Sequence, residues 1–95
     1  MPVRIVVTFK AKQGQGAQMA AAFAPVATLV QAEKGCEQYE MFQGCAAPDT
    51  LVLLERWTTA ADLDAHTEAM RTRGPSPTAA FRDESFAPAI ERYEV

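Results

Sequence analysis

The run Leu51-Val52-Leu53-Leu54, inside the segment Thr50 to Trp57, limits the fold more than any other feature of the chain. Side chains alternate across a β-strand, so a strand apolar at consecutive positions is apolar on both faces. Such a strand belongs in the middle of a sheet, and both faces of that sheet need cover. The preceding segment, Cys36 to Phe42, reads as a second strand with Glu37, Tyr39 and Met41 on one side. Between the two lies Gly44-Cys45-Ala46-Ala47-Pro48-Asp49, a turn rich in breakers. A link this short predicts an antiparallel hairpin.

The remaining segments supply one more sheet component on each side and two helices. Val3, Ile5, Val7 and Phe9 alternate with Arg4, Val6, Thr8 and Lys10, a period-2 strand broken by Gln13-Gly14-Gln15-Gly16. From Ala17 to Glu33 the period changes to that of a helix, with Met19, Phe23, Val26 and Val30 on one stripe. Pro25 lies inside this helix and predicts a kink; Gly35 stands where a left-handed cap would end it. Thr59-Ala60-Ala61-Asp62 resembles a capping box opening a second helix that runs to about Met70, with Leu63, His66 and Met70 on one face. After a loop from Arg71 to Pro75, Ser76-Pro77 starts a short helix carrying Phe81 and reaching toward Phe86. Pro88 ends it, and Ala89 to Val95 is the last strand.

The order β-α-β-β-α-β predicts an α+β, ferredoxin-like antiparallel sheet with helices on one face, residues 1–95 forming a single domain. The helices shield one face only. The other, carrying side chains such as Val6, Val52 and Leu54 or their alternating partners, remains apolar, and an open patch of that kind predicts a homodimer. A chain of 95 residues has a small core of its own, which favours the same outcome.

Charge and cysteine usage remove several functions. The net charge is -3 and the basic residues are scattered, so nucleic acid is not an expected partner. No apolar run approaches the roughly 18 residues of a membrane span. Met1-Pro2-Val3-Arg4 enters a strand directly with no leader-like apolar stretch, so a cytoplasmic protein without membrane association is expected. Cys36 and Cys45 form no CxxC pair and there is one His, so no metal site is expected; both cysteines read as small buried or half-buried thiols, with a disulfide or a catalytic thiol as the other reading. The glycines at 14 and 16 lack the spacing of a nucleotide loop.

A wider series then becomes visible. Lys12-Gln13-Gly14 follows the first strand, Ala32-Glu33-Lys34-Gly35-Cys36 closes the first helix, and Tyr39-Glu40 lies in the second strand. Leu54-Glu55-Arg56-Trp57 and Leu63-Asp64-Ala65-His66 continue it. In this order and spacing, over nearly the whole chain, the sequence resembles the antibiotic biosynthesis monooxygenase family of the dimeric α+β barrel superfamily. The resemblance implies a dimer and a pocket between helices and sheet. It implies an activity among cofactor-independent oxygenases of aromatic quinols and polyketides, small isomerases, haem-degrading enzymes, and proteins without demonstrated activity. The chain departs from the pattern in one place. Where many members carry Ser-Pro-His-Phe after the second-helix His, this chain has Thr67 to Pro77 and no second His. The haem-degrading branch places a Trp where His66 stands and an axial His about ten residues on; both are missing, so haem degradation is not expected.

Within that frame the expected function is a cofactor-independent monooxygenase of a small aromatic quinol or polyketide-like substrate, with O₂ as co-substrate and no cofactor. His66 is the expected catalytic residue. It shares its stripe with Leu63 and Met70 and so points inward, and imidazole is the side chain that ordinarily exchanges a proton near neutrality. A deprotonated phenol reduces O₂ far more readily than a phenol, and a positioned base beside an apolar pocket supplies that step. The other reading is a hydrogen-bonded structural histidine. Trp57 and Tyr39 are expected to position the ring, and Phe23, Met70 and Phe81 to wall the pocket; each also reads as ordinary core packing. Glu55 reads as a buried carboxylate in need of a partner, with Arg56 pointing the other way. Arg71 and Arg73 read as a lid over an anionic substrate or as a solvated loop. The rival functions are a non-catalytic or stress-related binding protein using the same pocket, and a cofactor-free isomerase that needs His66 but no oxygen.

Overall fold

The computed structural model describes all of residues 1–95. Its elements follow the expected order: β1 (Val3–Lys10), α1 (Gly16–Gln31), β2 (Cys36–Gln43), β3 (Thr50–Trp57), α2 (Ala60–Arg73), a 3-10 turn (Pro77–Phe81) and β4 (Ala89–Glu94). The four strands form one antiparallel sheet in the order β2-β3-β1-β4, so the fold is ferredoxin-like α+β. The two-sided strand is central, as its composition requires.

Odd-numbered residues of β1 and β3 face the helices. Val3, Ile5, Val7, Leu51, Leu53, Glu55 and Trp57 are buried, and their even-numbered neighbours are half-buried on the open face. Met19, Phe23 and Val30 of α1 pack onto this inner face with Val26 at their edge, and α2 contributes Leu63 and His66. α1 has no capping side chain of its own. Asp49, from the β2–β3 turn, accepts the backbone N–H of Gly14 at 2.8 Å and of Gly16 at 3.0 Å, and so caps the helix from a distance in sequence. α2 is capped locally: the Thr59 hydroxyl accepts the Asp62 N–H at 3.1 Å.

Several expectations change in detail. α1 continues through Pro25 without interruption and stops at Gln31 rather than Glu33. Gly35, at φ +80°, ends the turn beyond it rather than the helix itself. Glu37 does not share a face with Tyr39. A β-bulge between Cys36 and Gln38 shifts the register, which turns Cys36, Tyr39 and Met41 inward while Glu37 pairs with Arg56 at 2.8 Å. α2 is three residues longer than the stripe of Leu63, His66 and Met70 suggests, reaching Arg73. The short helix is one 3-10 turn that ends at Phe81; Phe86 lies outside it, beneath the Lys10 ammonium, and Pro88 follows it by seven residues. No helix is long and apolar enough to cross a membrane.

Candidate active site

The inner face of the sheet carries two polar interruptions, and both meet at one point. Glu55 on β3 and His66 on α2 are the polar side chains among the buried residues. Antiparallel register puts Glu55 between Ile5 and Tyr39, one row from Trp57. α2 then lowers His66 onto this corner: its ring stacks on Trp57 (centroids 4.6 Å apart, planes 29°) and meets Tyr39 edge-on (5.4 Å, 65°). Tyr39 in turn stacks on Phe23 of α1 at 5.4 Å.

The two imidazole nitrogens have different surroundings. Nδ1 lies 2.9 Å from Glu33 Oε1. A carboxylate only accepts, so Nδ1 carries the hydrogen and the neutral ring presents a bare Nε2. Nε2 is buried, finds no hydrogen-bond partner in the protein, and stands 4.0 Å from Glu55 Oε1, too far for a hydrogen bond. Glu33 is steadied on its other oxygen by Arg73 at 3.3 Å, and Glu55 accepts the Trp57 indole N–H at 3.0 Å. Arg73, Glu33, His66, Glu55 and Trp57 thus form one chain of polar contacts through a mostly apolar layer.

Burial is the main electrostatic force here. It pushes the Glu55 carboxyl above its ordinary value and the nearby Glu33 adds to the rise, while the Trp57 indole and His66 pull it part of the way back. Burial, followed by the charges of Glu55 and Glu33, raises the Tyr39 phenol far above its usual value, so Tyr39 stays a neutral hydroxyl. Burial first, then the charges of Glu33 and Glu55, raises the Cys36 thiol, which keeps it a thiol and a poor nucleophile; both cysteines are free, and Cys45, on the β2–β3 turn, is exposed rather than buried.

A cavity of about 900 Å³ lies between the sheet, α1, α2 and the segment that follows α2. Its wall is largely apolar, with Val7, Leu53, Met41, Phe23 and Val26 across the middle and Tyr39, Glu55 and His66 at one end. Exposed Ile90 and Met70 mark its mouth, at β4 and the end of α2. This combination suits a flat, weakly polar molecule with one end at the imidazole.

Of the residues singled out from sequence, His66, Tyr39, Phe23 and Met70 line this cavity. Trp57 does not. It is fully buried beneath His66, where its ring supports the imidazole and its N–H goes to Glu55 rather than into the cavity. Phe81 is also outside the wall: the 3-10 turn packs it against Ala11, Met19 and Leu51 in a separate small core. Arg71 is exposed and paired with Glu68, while Arg73 reaches the site through Glu33. Glu33 itself was not visible as a site residue, because it and His66 are 33 positions apart and no local spacing links them. Its place in the tight turn after α1, where the Glu33 N–H bonds the Val30 carbonyl, directs it toward α2.

Fold and site together define a ferredoxin-like α+β protein with an apolar pocket and one buried imidazole, unpartnered at Nε2, at its end. The family model for antibiotic biosynthesis monooxygenases matches residues 2–73, and the chain belongs to that family. Comparison with curated protein sequences yields no match. Among solved structures, a conserved protein of Methanosarcina mazei is similar at TM-score 0.82 and 21% identity, covering 98% of this chain and 91% of that one. A protein of Pseudomonas aeruginosa is similar at TM-score 0.75 and 21% identity, covering 97% and 91%. A protein described as an antibiotic biosynthesis monooxygenase is similar at TM-score 0.80 and 16% identity, covering 98% and 97%. At these identities the likeness is one of fold.

Proposed function

We propose that the protein is a cofactor-independent monooxygenase of a small aromatic quinol or polyketide-like substrate, with O₂ as the second substrate. The observation that carries this reading is the His66 imidazole, tied at Nδ1 to Glu33 and unpartnered at Nε2, on the wall of an apolar cavity. The substrate ring lies along Phe23, Val7 and Leu53, with its hydroxyl at His66 Nε2. His66 takes the hydroxyl proton and the electron-rich phenolate passes an electron to O₂. The imidazolium so formed keeps its Nδ1–H on the Glu33 carboxylate at 2.9 Å, with the Glu55 carboxyl 4.0 Å from Nε2. Glu33 is a positioning residue that holds the tautomer, in the sense in which a carboxylate orients a catalytic histidine elsewhere. Tyr39 stands beside the ring as a neutral hydroxyl. The family match and the fold support the reading; the substrate and the turnover belong to the proposal.

The active form is proposed to be a cytoplasmic homodimer. Val6, Val52 and Leu54 are half-buried on the open face of the sheet, Phe42 and Tyr93 beside them are 48% exposed, and a second copy laid on this face would cover all five.

Oxygen uptake with a panel of hydroquinones in metal-free buffer tests the catalytic proposal. Wild type is expected to consume oxygen with at least one of them, and His66→Ala to lower the rate about 100-fold or more. Equal rates in the two proteins would remove His66 from the reaction. Product formation that persists without oxygen would favour an isomerase using the same base. Ligand-dependent thermal stabilisation without turnover would favour a binding protein.

A further inference from the structure

The cavity wall carries more cationic than anionic side chains, and the proton-transfer chemistry leaves one of the cations unused. Three of the nine basic residues line it, Arg73, Arg82 and Arg92, against two of the twelve acidic ones, Glu55 and Asp64, in a chain of net charge -3. Arg73 is matched by Glu33, whereas Arg82 and Arg92 form no ion pair. Arg92 is exposed on the edge strand and its charge is met by solvent. Arg82 is different: the residue is half-buried, and its Nε is shut off from solvent with no hydrogen-bond partner in the protein. A buried N–H without an acceptor carries a desolvation cost, and an anion placed against this guanidinium would relieve it.

Arg82 is also held in position. Its backbone bridges Ala11 just beyond β1, and residues paired across such a bridge point to the same face, here the helix-covered one. On either side the chain is tied down: the Lys12 N–H donates to the Phe81 carbonyl at 2.8 Å and the Asp83 N–H to the Lys10 carbonyl at 2.8 Å. Along β1, Ala11 lies six residues from Ile5, whose neighbour Glu55 stands beside His66. The fixed charge and the imidazole therefore sit at opposite ends of the apolar floor, roughly 20 Å apart by backbone and closer once both side chains reach inward.

We infer that the cavity takes an aromatic acid, its ring on the apolar floor, its reactive end toward His66, and a carboxylate held by the Arg82 guanidinium. This rests on reading the same cavity as the substrate site and adds the chemical class of the ligand. A planar guanidinium suits a planar carboxylate through paired N–H donors, and a lysine at this position keeps the charge without the fork.

The test compares two ligands of the same shape, 2-naphthoate and its neutral amide 2-naphthamide, by isothermal titration calorimetry under argon on the full chain. Wild type is expected to bind the acid about ten- to a hundredfold more tightly than the amide. Arg82→Met is expected to erase that preference and leave amide binding unchanged, Arg82→Lys to retain part of it, and Arg92→Met to leave it intact. Equal affinity of wild type for acid and amide overturns the inference, even if no variant folds. So does absence of acid binding at millimolar concentration, or an equal loss of both ligands in Arg82→Met. Because no turnover is involved, an acid preference without oxygen uptake would sink the monooxygenase reading and keep this one, and uptake without an acid preference the reverse.

Discussion

Glu55 shows how a buried charge is tolerated at this site. The folded protein raises its carboxyl, chiefly by burial, so the acid form is the better accommodated one. Glu55 therefore contributes its full stability below the ordinary carboxylate value of 4.5 and loses it as the pH rises through its raised folded value. Glu55→Gln keeps an acceptor for the Trp57 indole and removes the charge. Thermal melts are expected to give the variant a higher midpoint than wild type at about pH 8, with the difference vanishing near pH 4. Glu33→Gln acts through His66 instead: its amide no longer demands a hydrogen on Nδ1. Oxygen uptake should fall about ten- to a hundredfold, the range for outer partners that fix a histidine's tautomer, with little change in KM. His66 was legible in the sequence as the only histidine, placed on an apolar stripe. Glu33 was not, since a contact between a turn and a distant helix leaves no periodic trace. Trp57 and Phe81 show a second limit: periodicity tells which face a side chain takes and not how deep it lies, so core support and pocket wall look alike.

Elements, unlike single contacts, were largely legible, because their periods and breakers are local. What escaped was the irregularity between them. The bulge at Cys36–Gln38 leaves no signature beyond an ordinary strand, yet it decides that Tyr39 and Cys36 both face the helices. The start of α1 is similar. It lacks a local cap, and Asp49 closes it from the hairpin turn, bringing Gly16 so near that an added Cβ would stand 1.9 Å from the Pro48 carbonyl oxygen. Gly14 has φ +76° but open space around it. Urea unfolding should therefore rank the two substitutions: Gly16→Ala costs about 2–3 kcal/mol through a clash with backbone that cannot yield, and Gly14→Ala about 1 kcal/mol through its left-handed conformation alone. Equal costs would mean that the Asp49 clasp is looser than the geometry indicates.

At the scale of the molecule, one sheet serves two purposes. Its inner face and the two helices enclose the cavity, and its outer face keeps Val6, Val52 and Leu54 in need of cover. The two-sided run at 51–54 announced both requirements, which is why the layer arrangement was readable before any contact was. Sedimentation equilibrium is expected to give about twice the 10.3 kDa chain mass, and Leu54→Lys, on the outer face, to give monomer with an unoccupied sheet. The same architecture converges on His66: β3 supplies Trp57 and Glu55, β2 supplies Tyr39, the turn after α1 supplies Glu33, and α2 carries the imidazole between them. The most direct test is the ¹⁵N spectrum of that imidazole, unambiguous because the chain has one histidine. The expected spectrum is that of a ring protonated at Nδ1, with an unprotonated Nε2 whose resonance shifts when a phenolic ligand is added. A ring protonated at Nε2, or an Nε2 indifferent to the ligand, would contradict it.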